Sequence, residues 1–275
     1  MNTAEVLPSG QKVVSREEWL AARVELLTKE KELTRLRDEQ ARQRRELPCV
    51  KVEKEYKFDG PHGRVTLAEL FGGRSQLVVY HFMFGPDWAE GCPSCSFVAD
   101  HLGGMLPHLA ARDVTLAVVS RAPLAKIEAF KQRMGWRFPW VSSAANDFNF
   151  DYHVSFTPDE LAGGTVEYNY AAQSFPSTEA PGVSVFSKTA DGTVFHTYST
   201  FARGGEALLG TYAVLDLVPK GRDEAALKFS MAWVRYHDRY GTDVFLDPTK
   251  PYWPSVEEAV PAAAACGCGS GEVKA

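Results

Sequence analysis

Hydrophobic side chains near the start of the chain recur at the spacing of one long helix. The helix is predicted over residues 15–46, because it opens at Ser15 with the run Ser-Arg-Glu-Glu and because Pro48 follows it. In such a capping box the serine hydroxyl and the carboxylate of Glu18 each satisfy a free backbone amide. The apolar positions thin out toward the second half of the helix. This favours a helix that packs on the rest of the chain through its first half; the alternative is a helix that pairs with another subunit.

The middle of the chain alternates between predicted strands and a predicted helix. The continuous apolar run at residues 75–84 is typical of a strand that is buried on both faces. Strands predicted over 114–120 and 138–143 enclose a helix predicted over 123–134. Alternation of this kind implies right-handed crossovers and a mostly parallel sheet.

The second half of the chain is less regular. Residues 144–180 are rich in Asn, Asp, Ser and Gly and are predicted to form an insertion. Two alternating strands within 182–199 surround Asp191-Gly192, a strong hairpin signal. Helices are predicted over 206–217 and 224–240, and the tail has the small-residue composition of a flexible end.

These patterns divide the chain into four parts. We predict an N-terminal helical extension, an α/β domain, a C-terminal helical extension and a flexible tail, over residues 1–47, 48–218, 219–258 and 259–275 respectively.

Composition narrows the function classes. The chain has 275 residues, of which 45% are hydrophobic and 24% are charged, which is typical of a soluble globular protein. Its net charge of -5, without a sustained Lys/Arg block, argues against a nucleic-acid or membrane surface, so we expect neither partner. No apolar run is long enough to cross a bilayer and the first residues lack the pattern of a secretory signal, so we expect a cytosolic protein.

The cysteines are the candidate chemistry of the chain. Disulfides are seldom structural in the cytosol, so the five cysteines are interpreted as catalytic, metal-binding or merely buried. Cys92 and Cys95 form a C-x-x-C pair between the strand at 75–84 and a predicted helix. At a helix start the unpaired amides and the dipole stabilise a thiolate, which makes Cys92 the candidate nucleophile. Cys95 lies one turn further in and is the candidate resolving thiol.

A second cysteine pair, Cys266 and Cys268, lies in the tail. One alternative is that this pair carries electrons to the C-x-x-C dithiol; another is that it completes a four-cysteine zinc site with Cys92 and Cys95. Our leading hypothesis involves neither a metal nor a cofactor.

Several segments resemble known families. Residues from about 52 to 199 resemble a thioredoxin-like domain of the peroxiredoxin and thiol-disulfide reductase type, through FDGPHGRVTLAELFGGRSQLVVYHF and the loop WAEGCPSC. Over roughly residues 13–240 the chain resembles the bacterial DUF899 family, a thioredoxin-like group, through VVSREEWLAARVELLTKEKELTR, YHFMFGPDWAEGCPSCSF, VSRAPLAKIEAFKQRMGWRFPWVSS and FHTYSTFARG. The resemblance implies a thioredoxin-like α/β fold, with a central mixed sheet flanked by helices, a long N-terminal helix and a C-terminal helical extension.

The resemblance also implies roles for three further residues. Pro181 precedes a strand as the thioredoxin cis-proline does, so we expect a cis bond beside the dithiol that binds an extended substrate; the alternative is an ordinary proline. His81 falls near the buried acid of thioredoxins and would serve as a base for Cys95, unless it is a satisfied core residue. Pro86 aligns with that acid equally well. Trp88 would shield the dithiol or line a substrate groove.

Two departures argue against a standard peroxidase. The peroxiredoxin motif P-x-x-x-T-x-x-C is absent, and no Arg precedes the strand at 183. The leading hypothesis is therefore a cytosolic thiol-disulfide oxidoreductase that acts on a protein or small-molecule thiol or disulfide. The alternatives are a non-catalytic binding protein on the same fold and a zinc-binding protein.

Overall fold

The computed structural model describes residues 10–240. The predicted long helix is confirmed as α1, Arg16–Arg45. Its capping box is present, since the Glu18 amide donates to the Ser15 hydroxyl at 3.2 Å and the Ser15 amide donates to the Glu18 carboxylate at 2.9 Å.

The prediction that α1 packs through its first half is wrong for the described chain. No residue of α1 is buried, and Trp19 near its start is 52% exposed. The reason lies in the anchoring of the helix: its contact with the sheet is in the last turn, where the Arg44 guanidinium lies 4.8 Å from the ring centroid of Tyr198. The strand that follows pairs at the edge of the sheet, so α1 leaves the domain from that edge.

Eight strands form one mixed sheet, in the order β1-β10-β9-β4-β5-β6-β2-β3. The strands are β1 Val50–Lys51, β2 Lys57–Gly60, β3 Gly63–Thr66, β4 Gln76–His81, β5 Val114–Ser120, β6 Trp140–Ser142, β9 Gly182–Lys188 and β10 Val194–Phe201. Strands β4, β5 and β6 are parallel, and antiparallel hairpins extend the sheet on both sides. A separate hairpin, β7 Val166–Tyr168 with β8 Ala171–Gln173, lies within the predicted insertion.

Short helices complete the domain. They are α2 Pro93–Ala99, α3 Leu106–Ala110, α4 Leu124–Arg133, α5 Phe148–Asp151, α6 Pro158–Ala162 and α7 Gly210–Leu215, with 3-10 turns at Glu69–Phe71, Gly103–Met105, Ala202–Leu208 and His237–Arg239. With a parallel strand-helix-strand centre, an antiparallel hairpin beside it and the C-x-x-C pair at the start of α2, the thioredoxin-like fold is confirmed.

The sheet separates two cores, because successive side chains of a strand point to opposite faces. One core, here called the dithiol face, contains Tyr80, Phe82, Cys95, Phe97, Phe130 and Trp140. The other, here called the histidine face, contains Phe58, Leu77, Val79, Phe148 and Phe186, and His81 stacks against Phe148 within it.

The prediction of a helix over residues 224–240 is wrong. The segment holds turns and one 3-10 turn, and Ala232, Val234 and Tyr236 are buried while the residues between them are partly exposed. Successive turns, in which the Ala232 amide donates to the Phe229 carbonyl and the Val234 amide to the Met231 carbonyl, replace the helix, and Val234 and Tyr236 pack on the dithiol face. Residues 241–258 of the predicted C-terminal extension and the predicted tail at 259–275 lie outside the described residues. Across residues 10–240, no helix combines the length and hydrophobicity that a membrane crossing requires.

Candidate active site

The C-x-x-C pair lies at the junction of a loop and helix α2. Cys92 is the N-cap of α2 and Pro93 occupies the first turn, where a missing amide donor costs nothing. The Cys92 amide donates to the carbonyl of Met83 at 2.9 Å, which fixes the loop against the end of β4. Gly91 is required here, since a Cβ atom at this position would lie 2.5 Å from the ring of Phe82. The sequence therefore places both thiols at the edge of the dithiol face.

The surroundings of Cys92 favour its thiolate. A hydrogen bond from the Cys95 thiol lowers the pKa of Cys92, and the amides of Cys95 and Ser94 and the Ser94 hydroxyl lower it further, against the effect of burial. Cys92 is partly buried whereas Cys95 is buried, so Cys92 is the more exposed residue of the pair.

The surroundings of Cys95 favour the protonated thiol. Cys95 is 2% exposed, and this burial raises its pKa well above the usual value, with a further increase from its neighbour Cys92. Two donors act in the opposite direction, the Tyr80 phenol and the Met83 amide, whose nitrogen lies 3.4 Å from the Cys95 sulfur. The pair thus combines an outer thiol with a lowered pKa and an inner thiol with a raised pKa.

Tyr80 is a site residue that the sequence interpretation missed. Burial raises its pKa well above the usual value, so its phenol stays protonated and can donate to the Cys95 sulfur. The available signal was the period of two along β4, which puts Tyr80 and Phe82 on one face and His81 on the other.

His81 does not lie beside the dithiol, which corrects its predicted role as a base for Cys95. It is fully buried on the histidine face, and burial lowers its pKa to about 3, so the imidazole is neutral. Its Nε2 atom lies 2.8 Å from the Ser184 hydroxyl, that hydroxyl lies 2.8 Å from Ser199, and Ser199 lies 2.8 Å from Nε2 of His196. His81 is therefore part of a polar chain that crosses three strands.

A β-bulge makes the last link of this chain. The pairing of β10 with β9 shifts between His196 and Tyr198, so one extra residue is inserted there. Residues three apart in a regular strand point to opposite faces, and the bulge brings His196 and Ser199 to the same one.

The predicted cis bond at Pro181 is wrong, since no peptide bond in residues 10–240 is cis. The chain reaches Pro181 in an extended, paired conformation: the Ala180 amide donates to the Val154 carbonyl at 2.9 Å, and the Tyr168 hydroxyl donates to the Pro181 carbonyl at 2.8 Å. An approach of this kind needs no tight turn, so a trans bond suffices. Pro181 nevertheless lies near the dithiol, because it shares a cavity with Cys95.

That cavity has a volume of about 300 Å³ and lies between α2, β9 and the residues after β10. Its apolar lining includes Tyr80, Val98, Pro181, Val183, Phe201, Leu209 and Met231, and its polar lining includes Arg203, Glu206, Arg222 and Glu224. Ser94 and Cys95 also line the cavity, which therefore reaches the inner thiol of the pair, while Cys92 is not among the described residues that line it.

Residues 222–239, here called the covering segment, close over this region. The Glu224 carboxylate accepts hydrogen bonds from the Tyr212 hydroxyl at 2.5 Å, the Trp233 indole at 2.6 Å and the Met231 amide at 3.0 Å. Further along, the Tyr236 hydroxyl donates to the Gly91 carbonyl at 2.6 Å, next to Cys92. The covering segment is therefore held by hydrogen bonds both at the cavity and at residues 82–92 between β4 and α2, here called the cysteine loop.

An ion-pair cluster strengthens the second attachment. Glu90, two residues before Cys92, accepts from Arg133 at 2.5 Å and from Arg239 at 2.6 Å, and Arg133 also pairs with Asp238 at 2.8 Å. Side chains from α4 and the covering segment thus meet at the cysteine loop.

Trp88 is half-buried and packs against the dithiol-face core. Its ring lies against Gly85, where an added Cβ atom would be 2.9 Å from the indole nitrogen, and Lys126 donates to its carbonyl at 3.1 Å. Trp88 is not among the described residues that line the 300 Å³ cavity, so its place is in the wall of the cysteine loop.

The zinc alternative involves four cysteines, of which only Cys92 and Cys95 lie within the described residues. Between residues 10 and 240 no group of three or more His, Cys, Asp or Glu side chains is placed to hold a metal ion. Cys266 and Cys268 lie outside the described residues.

Comparisons with known proteins place the chain in a family. No curated protein matches it. Similar solved structures include a cysteine-to-serine variant of peroxiredoxin Q from Xanthomonas campestris, with 17% identity, coverage of 57% of this chain and 90% of that one, and a TM-score of 0.38. Another is the peroxidoxin BcpB from Mycobacterium tuberculosis, with 15% identity, coverage of 60% and 94%, and a TM-score of 0.39. The family model for bacterial proteins of unknown function DUF899 matches residues 8–240, and the chain belongs to that family.

Proposed function

We propose that the protein is a thiol-disulfide oxidoreductase in which Cys92 attacks the substrate and Cys95 resolves the intermediate. The observation that carries this proposal is the unequal placement of the two thiols: Cys92 is the partly exposed N-cap of α2, while Cys95 is 2% exposed within the core. The pKa of Cys92 is accordingly lowered and that of Cys95 is raised. This difference suits a dithiol in which one sulfur attacks as a thiolate while the other stays protonated until the second step.

The first step forms a mixed disulfide. The Cys92 thiolate attacks one sulfur of a substrate disulfide, the substrate S–S bond breaks, and the other substrate sulfur leaves as a thiolate that takes a proton from water. The amides of Ser94 and Cys95 hold the Cys92 charge before the attack.

The second step releases the product. Cys95 loses its proton and attacks the Cys92 sulfur, which forms the Cys92–Cys95 disulfide and expels the second substrate thiol. The substrate gains two electrons and the protein loses two. The Tyr80 phenol and the Met83 amide stabilise the negative charge that develops on Cys95. A thiol reductant of the cytosol, which is the compartment we propose, then restores the dithiol.

The substrate class that we propose is a small molecule with an apolar part. The 300 Å³ cavity beside Cys95 is of a size for small ligands, and aromatic and aliphatic side chains dominate its wall. The covering segment and the trans bond at Pro181 both argue against an open groove for a protein chain.

A stoichiometric reaction tests the dithiol. The background variant carries Cys49→Ser, Cys266→Ser and Cys268→Ser, so that only the C-x-x-C thiols remain. The reduced protein is mixed with a small aromatic disulfide that releases a coloured thiolate. We expect two released thiols per chain for the background variant.

Single replacements in that background separate the two roles. We expect one released thiol and a stable mixed disulfide, visible by mass spectrometry, for added Cys95→Ser, and no rapid release for added Cys92→Ser. A dithiol that releases nothing would contradict the enzyme hypothesis and favour a non-catalytic binding protein, and rapid release by the Cys92→Ser variant would reverse the assignment.

The substrate class is tested by a comparison of two disulfides. Under the same conditions, reduced protein should react faster with the small disulfide than with an exposed disulfide of a folded protein. An equal rate with both substrates would contradict a closed site, while the roles of Cys92 and Cys95 would stand.

A further inference from the structure

Helix α1 carries an apolar seam that nothing in the described chain covers. With Trp19 at the first position of a heptad, the seam positions are Trp19, Ala22, Leu26, Lys29, Leu33, Leu36, Gln40 and Gln43, which alternate in steps of three and four residues. The large apolar members Trp19, Leu26, Leu33 and Leu36 are 52%, 51%, 47% and 61% exposed. Three polar members interrupt the seam, which is why the apolar pattern thins toward the end of the helix.

An isolated helix of this kind lacks a source of stability. Thirty residues extend over about 45 Å, and helices in water owe most of their stability to the packing of an apolar face. Four large exposed side chains along one seam therefore call for a partner surface of comparable length.

The charges beside the seam identify the partner. On one flank, the residue before each first heptad position (19, 26, 33 and 40) is a glutamate: Glu18, Glu25, Glu32 and Glu39. On the other flank the corresponding positions are Arg16, Arg23, Glu30, Arg37 and Arg44. One flank is uniformly acidic and the other is basic at four of five positions, so the helix is complementary to itself.

The same charges select the direction of pairing. In a parallel pair, each residue of the acidic flank faces the residue five positions further along on the other flank of the partner helix. In an antiparallel pair, the acidic flanks of the two helices face each other. Parallel pairing matches Glu18, Glu32 and Glu39 with arginine, and leaves only Glu25 opposite a glutamate. Antiparallel pairing would place the glutamate flanks together along the whole seam.

We propose that α1 forms a parallel, in-register, two-stranded coiled coil with α1 of a second copy of this chain. Parallel pairing brings the two α/β domains to the same end of the coil, since strand β1 begins at Val50, five residues after α1 ends at Arg45. Leu20 and Val24 lie outside the seam of such a pair.

The first test is the mass in solution combined with cross-linking. The full-length chain should sediment as a dimer at micromolar concentration, at twice its mass of 30.4 kDa. Neighbouring alanines supply a matched pair of probes: Ala22 lies in the seam and Ala21 lies outside it. In a variant with all native cysteines replaced by serine, Ala22→Cys should form an intermolecular disulfide on oxidation, and Ala21→Cys should form little.

Each outcome of this test decides the proposal. A monomeric wild-type protein would overturn it. An antiparallel coil would also overturn it, because two Ala22→Cys sulfurs would then lie far apart and no cross-link would form.

Charge reversal tests the direction independently. In a parallel dimer, Glu32→Arg turns both attractive contacts with Arg37 of the partner subunit into repulsive ones. The substitution should therefore raise the dissociation constant of the dimer about tenfold. Adding Arg37→Glu to the same chain restores both pairs and should restore the wild-type value. A double variant that dimerises no better than Glu32→Arg would overturn the parallel assignment. Neither substitution lies near the dithiol, so thiol release should be unchanged.

Discussion

The Tyr80 and Cys95 side chains occupy the same face of the sheet, where the phenol, as a donor to the sulfur, lowers the pKa of Cys95 against the effect of burial. The neighbouring residue on the strand, His81, lies on the other face among Phe148 and Tyr152. The position from which a side chain of β4 can act on the inner thiol therefore belongs to a tyrosine. A phenol there cannot act as a base near neutral pH, because burial raises its pKa, but it can stabilise a thiolate.

Replacement of Tyr80 with phenylalanine should slow the second step of the reaction. Tyr80→Phe keeps the ring and removes the donor, and a hydrogen bond to a charged group is worth about 1.5 to 3 kcal/mol, so release of the second thiol should slow by about ten- to hundredfold. Stopped-flow measurement of the two releases checks this. Tyr152→Phe, on the histidine face, is the matched control and should leave both rates unchanged. A Tyr80→Phe variant with normal second release would mean that the phenol has no part in resolution.

The pH dependence of Cys92 should depend on the donor at Cys95. Because a hydrogen bond from Cys95 is the main cause of the lowered pKa of Cys92, Cys95→Ala should raise that pKa and so decrease the thiolate fraction at neutral pH. Alkylation of Cys92 should then be slower near neutral pH and reach its maximum at higher pH than in the parent. Cys95→Ser, whose hydroxyl can still donate, should show a smaller change. Identical profiles for alanine and serine would point to the helix amides as the main cause.

Loss of Glu224 should open the site. Three donors share its carboxylate, so Glu224→Ala leaves them unpaired and should lower the free energy of unfolding by about 2 kcal/mol. The covering segment loses its fastening at the cavity, and we expect faster alkylation of Cys95 and a gain in rate with the protein disulfide relative to the small one. Glu224→Gln keeps an acceptor oxygen and should have the smaller effect. Unaltered alkylation of Cys95 in the alanine variant would show that the covering segment does not limit access.

A buried ion pair should control stability at the start of β9. Glu179 is 1% exposed, and its carboxylate accepts from Arg121 at 2.9 Å and from Ser155. Arg121→Met removes the cation and should destabilise the fold by about 3 kcal/mol at neutral pH, measured by urea unfolding. Addition of Glu179→Gln should recover most of the loss. Arg64, whose pair with Asp59 is exposed, supplies the control variant Arg64→Met, for which little change is expected.

The loss in Arg121→Met should also depend on pH. Burial already raises the pKa of Glu179, and removal of the cation raises it further. A carboxyl group whose folded-state pKa exceeds the unfolded value of about 4.3 costs stability as the pH rises between those two values, because the folded state must then hold a buried charge. The variant should therefore be closer to wild type near pH 5 than near pH 7. A pH-independent difference would indicate a lost packing contact instead of an uncompensated charge.

Local signals predicted much of the fold. The capping box at Ser15 placed the start of α1 to within one residue, and the apolar run at 114–120 coincides with β5. Asp191-Gly192 gave the β9-β10 hairpin because Gly192 adopts a φ of +90°, which the turn needs. In each case the responsible interaction joins residues that are close in the chain.

The remaining errors involve contacts that are distant in the chain. The run around His81 is apolar on both sides, so nothing local shows which face its odd and even positions occupy. Pro181 is trans in a segment where the Ala180 amide pairs with the Val154 carbonyl. The residues before Tyr236 form turns, and they pack on a core to which α2 and α4 contribute. A helical pattern without a cap, as at 224–240, could not reveal this.

The polar chain from buried His81 through Ser184 and Ser199 to half-buried His196 has a consequence for folding. These side chains lie on three adjacent strands, β4, β9 and β10, in an otherwise apolar layer. A slip of one residue between any two strands would turn part of the set toward the opposite core and leave polar atoms buried without partners. Apolar side chains alone tolerate such misalignment far better. The neutral imidazole and the two hydroxyls thus make the correct alignment of the central strands more favourable than its nearest competitors, and they select one folded state among several of similar hydrophobicity.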